Sequence, residues 1–297
     1  MYLQSRQHTL ASAAACAGMG VHSGERVRLT LKPAPAGSGV VFVRTDVSDR
    51  DNRVPVTPEA VARTQLNTEI VNAAGVRVST IEHLMAALAA LSVDNALVEL
   101  DGPELPIMDG SALPFVQLID RAGRRPQEAP RSVIEILRPV EVVDGDKRAA
   151  LHPADRFEVD FAIDFATPAI GRQRWAGPVD ERSFRRELAA ARTFGFLHEV
   201  EALRARGLAR GGGLDNAIVL DGDRVLNPEG VRFADEFVRH KALDAVGDLY
   251  VLGAPIVGRF EASRAGHAVN NLLVRALMAQ PDAWRLRLEE TELAEAV

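Results

Sequence analysis

The sequence of 297 residues, 47% apolar and 26% charged, is long enough for two domains with cores of their own and has the composition of an ordered globular protein. Its net charge of -6 comes with basic residues scattered along the chain, which excludes a general nucleic-acid-binding arm, and its single cysteine, Cys16, excludes an internal disulfide and a cysteine-built metal site. No apolar leader follows the polar start Met1 to Arg6, and the longest nearly apolar run, Leu84 to Leu91, is too short to span a bilayer, so a cytoplasmic protein without a transmembrane segment is expected.

Arg26 to Lys32 alternates apolar and polar residues and reads as a strand. The turn-forming PAPAGSG follows, then a second strand from Val40 to Arg44, and the pair suggests a hairpin. Thr80 to Leu91 is an apolar-rich helix, Ala96 to Leu100 a strand, PELPIMDGSA a loop, and Leu113 to Asp120 a helix. After Ala122 the segment GRRPQEAPRS, polar and with two prolines, reads as a joint and puts a boundary near residue 128. Beyond it the order recurs: strands at Arg148 to Leu151 and Phe157 to Phe165, a helix at Glu236 to Leu252, a strand at Ile256 to Ala262, the loop RAGHAVN, and a helix at Asn271 to Met278.

The expected fold is therefore α+β, with two similar domains, residues 1–127 and 128–297, each a sheet packed with helices. A cleft between such units is a preferred place for a ligand, with groups from both halves meeting in it. The second half also carries an extra piece near 183–227, with short helices expected at Glu187 to Arg192 and Glu199 to Arg206. It reads as an insertion that serves the substrate.

On the helix from Glu236 to Leu252, His240, Lys241, Asp244 and Asp248 share one arc, while apolar residues cover the rest. The plain reading of such an arc is solvation. The apolar arc is wider than a surface helix needs, however, and a His with an Asp one turn later can hold one metal ion between them. In the first half, Glu82 and His83 open the corresponding helix. Ser79 and Glu82 also fit a capping box, and a lone His83 fits a core histidine. If the two helices meet, two histidines and an aspartate leave a fourth position open for water beside a non-ligand glutamate, the plan of a catalytic zinc site. His267 lies in the loop whose counterpart in the first half carries Met108-Asp109-Gly110-Ser111.

Several long motifs stand in order: GMGVHSGE at 18–25, STIEHLMAALAAL at 79–91, DNALVELDGPELPIMDGSALPFV at 94–116, ARTFGF at 191–196, FVRHKALDAVGDL at 237–249 and AGHAVNN at 265–271. Through them the chain resembles the UDP-3-O-acyl-N-acetylglucosamine deacetylases, zinc-dependent hydrolases of lipid A biosynthesis, across nearly its whole length. The resemblance implies zinc on His83, His240 and Asp244, Glu82 as general base, and His267 as the opposing acid oriented by Asp248. It also implies that Thr193 stabilises the oxyanion and Lys241 meets the polar part of the substrate. Lys147 and Phe165 would lie near the UDP moiety, and Phe196 in an apolar passage for the acyl chain. Arg264, standing where the family pattern suggests a lysine, and Leu66 and Thr68, which keep their places in TQLNTE among altered neighbours, would also bind the substrate.

With that resemblance, the insertion reads as the acyl-chain site. Aromatics at Phe194 and Phe196, followed by Val200, Leu203 and the glycines Gly211 to Gly213, suit an apolar groove. The expected partner is acylated UDP-N-acetylglucosamine, with no nucleic acid and the chain a monomer. Iron(II) would serve in place of zinc, because a ligand set of two histidines and an aspartate discriminates weakly between them.

Overall fold

A computed structural model describes residues 2–205 and 207–292. Six α-helical segments are α1 (Glu82–Ala90), α2 (Leu113–Ala122), the single turn α3 (Glu181–Ser183), α4 (Leu197–Ala205), α5 (Glu236–Leu249) and α6 (His267–Met278). They accompany two main sheets whose strand order repeats. In the first sheet the order is Ala14–Met19, Arg26–Pro33, Ala96–Leu100, Val40–Arg44, Arg53–Pro55. In the second, Val140–Asp144, Lys147–His152, Ile256–Ser263, Phe157–Asp164 and Arg172–Pro178 follow one another in the same way. Both central strands, Ala96–Leu100 and Ile256–Ser263, pair antiparallel on one side and parallel on the other.

This order corrects the expected hairpin. Arg26–Pro33 and Val40–Arg44 are not paired with each other, because Ala96–Leu100 lies between them. The reason is burial: Ala96, Val98 and Leu100 are wholly buried, and an edge position would leave them half covered. Alternation does set which residues face inward, with Val27, Leu29 and Leu31 buried on one strand and Ile256, Phe260 and Ala262 on the other.

The polar segment expected to be a joint is also a strand. Arg124–Pro130 pairs antiparallel with Arg6–Leu10, so the chain after α2 returns along the start of the molecule. Its prolines are accommodated by a shift of register between Pro126 and Pro130, an edge-strand device. In the insertion, the first helix starts earlier than expected, because Asp180 and Ser183 form a reciprocal capping box at its head. It widens over Phe184–Leu188 and is finished before Ala191, whose N–H bonds Leu188 O. Arg206, the expected end of the second helix, lies outside the described residues. No helix among the described residues is long and apolar enough to cross a membrane.

α5 rests on the strands Phe157–Asp164 and Arg172–Pro178 and packs its opposite side on α1. Their closeness depends on Gly247: a Cβ there would lie 2.0 Å from Glu82 O and 2.8 Å from Glu82 C. Gly247→Ala should push the two helices apart and lower stability by about 1–3 kcal/mol, the usual cost of overpacking a core. A denaturant midpoint equal to that of the parent protein would show that the crossing has slack.

Candidate active site

Glu82 and His83 stand at the head of α1, where their surroundings decide between cap and chemistry. The Ser79 hydroxyl bonds Pro103 O at 3.2 Å, and the helix begins after Ile81 with no side-chain cap. Thr80, at φ 59°, turns the chain so that Ser79 cannot reach back to the helix. The capping-box reading of Glu82 is thereby overturned. Its carboxylate accepts from Thr68 N–H instead, at 3.1 Å, and is 3% exposed.

The α1–α5 crossing brings His83 to His240 and Asp244. Asp244 Oδ1 lies 3.5 Å from His83 Nε2 and 3.3 Å from His240 Nε2, and the two rings stand nearly perpendicular, at 83°. The arc is not solvated: His240 and Asp244 are each 2% exposed, as the wide apolar arc led one to expect, because α1 and the insertion cover that side of α5. Two features fit a bound cation. Asp244 Oδ1 is buried without a hydrogen-bond donor, whereas Oδ2 accepts from Lys241 Nζ at 2.9 Å. A four-coordinate ion with bonds of about 2.0–2.1 Å has ligand–ligand edges of about 3.3–3.4 Å, which those two separations match.

The protonation states agree. Burial lowers the pKa of His240 to about 3, only partly opposed by Asp244, so the ring is neutral. Its Nδ1 lies 3.1 Å from Ala191 O, to which it donates, leaving Nε2 bare for a ligand bond. Burial alone would raise Asp244, but His240 and Lys241 outweigh it and hold the carboxyl well below its ordinary range.

Opposite this cluster, His267 is the first residue of α6 rather than a loop residue. The helix begins there because Gly266 is extended and accepts Asn270 N–H as the first helical bond. His267 Nδ1 donates to Asp248 Oδ2 at 2.8 Å, while Nε2 lies 4.0 Å from Asp244 Oδ2. Burial would lower its pKa, yet the charge and hydrogen bond of Asp248, with Glu82 nearby, raise it to about 9. Burial raises the Glu82 carboxyl, against the pull of His267 and His83. A carboxyl with a raised pKa thus faces a histidine held cationic, a pairing suited to moving protons.

The cluster opens into a cavity of about 490 Å³ walled by both halves. Of the residues singled out from sequence, Leu66, Thr193, Val200 and Lys241 line it, and Leu203 and Leu214 extend its apolar wall. Thr68, expected to bind the substrate, is not on the wall; with Asp248 it stands behind Glu82 and His267, because its N–H and hydroxyl are taken by Glu82 and Asp248. Phe196 is not on the wall; its ring packs on Phe165 and His198, and Phe194 takes the lining position, against Phe165, Phe237 and His240. Lys147, Phe165 and Arg264 are also off the cavity wall. Arg264 joins Asp146 and Asp164, the chain neighbours of Lys147 and Phe165, in exposed ion pairs.

Two site elements escaped sequence reasoning. Glu236, wholly buried, accepts from the backbone N–H and the Nε of Arg192 at 3.0 and 2.9 Å, fixing Ala191 and Thr193 beside α5. Glu104, 3% exposed, accepts from His22 N–H and Ser23 N–H at 2.8 Å each and holds the GVHSG turn against the cavity. These four bonds span chain separations that no local pattern reveals.

The family model for UDP-3-O-acyl N-acetylglycosamine deacetylase matches residues 7–279. Among curated relatives, the UDP-3-O-acyl-N-acetylglucosamine deacetylase of Phenylobacterium zucineum (strain HLK1) is 68% identical over 291 residues, covering 98% of this chain and 99% of the relative. Proteins of the same name from Shewanella sp. (strain W3-18-1) and Myxococcus xanthus (strain DK1622) are 52% and 53% identical, covering 96% and 94% of this chain and 94% and 88% of their own lengths. Matched at this identity along nearly all of its length, the chain belongs to the UDP-3-O-acyl N-acetylglycosamine deacetylase family.

Proposed function

We propose that this protein hydrolyses the N-acetyl group of UDP-3-O-acyl-N-acetylglucosamine, releasing acetate and the free glucosamine amine, an early step of lipid A biosynthesis in the cytoplasm. The observation that carries the proposal is the buried His83–His240–Asp244 cluster, with one carboxylate oxygen unpartnered, open to an apolar cavity and flanked by Glu82 and His267.

His83, His240 and Asp244 would hold zinc, with iron(II) a possible substitute. When bound, the ion supplies Lewis acidity that makes water nucleophilic near neutral pH and polarises the acetyl carbonyl. Glu82, beside a ligand but not one itself, takes a proton from the attacking water. Its raised pKa improves it as a base. His267 delivers a proton from Nε2 to the sugar nitrogen as the C–N bond breaks, and Asp248 holds the ring by accepting Nδ1–H. Thr193, on the cavity wall, would donate to the oxyanion, and Lys241, on the same wall, would meet a polar group of the substrate.

Residues 1–127 and 128–297 act in this reading as two units that close on one substrate as a monomer. Lys147, Phe165 and Arg264 form the rim toward the UDP moiety. The segment near 183–227 receives the acyl chain against Val200, with Phe196 behind Phe165. Each buried methylene contributes about 0.8 kcal/mol, part of which aligns the acetyl group.

The test compares hydrolysis of acylated and unacylated UDP-N-acetylglucosamine with and without a chelator. Chelator-sensitive turnover that strongly prefers the acylated substrate is expected. Equal efficiency on both substrates would remove the acyl passage from the proposal, and chelator-insensitive turnover would remove the metal.

A further inference from the structure

Glu82 and His267 act from separate helices, and Thr68 touches the hydrogen-bonding shell of both. Its backbone N–H donates to Glu82 Oε2 at 3.1 Å, and its hydroxyl donates to Asp248 Oδ1 at 2.6 Å. The other Asp248 oxygen accepts from His267 Nδ1 and Asn270 Nδ2, both at 2.8 Å. The Thr68 hydroxyl therefore fixes the rotation of the carboxylate that aims His267. No other side-chain hydrogen bond among the described residues reaches Asp248 Oδ1.

The peptide that carries Thr68 is itself built for accuracy. Leu66 holds a left-handed conformation, φ 71°, which a branched side chain adopts only under constraint. The constraint is a buried chain of hydrogen bonds. Asn67 Nδ2 donates to Thr80 Oγ1 at 3.0 Å, Thr80 donates to Glu104 Oε1 at 3.2 Å, and Ile81 N–H reaches Thr68 O at 3.4 Å. Asn67, Thr68, Thr80 and Glu104 are each at most 7% exposed. A surface turn that merely linked two strands would have no use for such fastening.

We propose that Thr68 is a positioning residue that sets the proton acceptor and the proton donor in register across the substrate amide. It acts on Glu82 through its backbone and on His267 through Asp248, without touching the reacting atoms. This inference rests on the deacetylase reading given above.

Thr68→Val keeps the backbone N–H and the approximate size but removes the hydroxyl, and Thr68→Ser restores it. For Thr68→Val, kcat on the acylated substrate should fall about 10- to 100-fold, the scale of misplacing a catalytic group by an ångström, with KM within about 2-fold. Metal content should be unchanged, and Thr68→Ser should recover most of kcat. In an Asp248→Asn background, Thr68→Val should lower kcat by less than about 3-fold, because the group it acts through has already been altered. An unchanged kcat in Thr68→Val, or a loss that Thr68→Ser shares, overturns the inference. So does a loss accompanied by a matching loss of metal and of thermal stability, which would mark a structural role. An unmodified protein without chelator-sensitive deacetylation would instead bring down the functional reading, and this inference with it.

Discussion

Alanine at His83, His240 or Asp244 is expected to remove the bound ion and reduce turnover to background, while the protein stays folded. Three protein ligands are the minimum of a catalytic site, and with two the ion is poorly held. Asp244 should be the most damaging of the three, since its loss also leaves the Lys241 ammonium without the carboxylate that accepts from it at 2.9 Å. The fold should persist because α1 and α5 keep their buried apolar residues, among them Leu84, Met85, Leu243 and Val246. Metal analysis, turnover and thermal unfolding on the same preparations provide the check. Full metal occupancy in all three variants would mean that another set of residues binds the ion.

Glu82→Gln should keep the metal and the melting temperature but lose roughly 10²- to 10⁴-fold in turnover, the usual contribution of a positioned general base. The pH profile supplies a second sign of the same role. Burial raises the Glu82 carboxyl, so in the parent enzyme the base form is lost on acidification at a higher pH than for an exposed glutamate. His267, raised to about 9, keeps its proton until the pH climbs through that value. Activity should therefore fall on both sides, on the acid side as Glu82 gains a proton and on the alkaline side as His267 loses one. The acid limb should disappear in Glu82→Gln. A glutamine variant with near-normal turnover and an intact acid limb would assign the base to another group.

Sequence by itself determined the features that depend on neighbours along the chain. The one-turn spacing of His240 and Asp244 places them on one side of a helix whatever surrounds it, and the alternation in Arg26 to Lys32 sets which side chains of that strand face inward. The ordered motifs were enough to point to the family. The tertiary structure decided which segments meet and which groups lose contact with water. A hydrophobic pattern says that Ala96–Leu100 is a strand, but only competition for the buried centre places it between Arg26–Pro33 and Val40–Arg44. Ser79 and Glu82 have the spacing of a cap, yet a left-handed Thr80 and the partner offered by Thr68 give the glutamate a different neighbour. His83 becomes a metal-ligand candidate only because Gly247 lets two helices approach to backbone contact. Proton affinities at the site follow from that approach, since burial and facing charges, rather than residue type, make His240 neutral and His267 cationic.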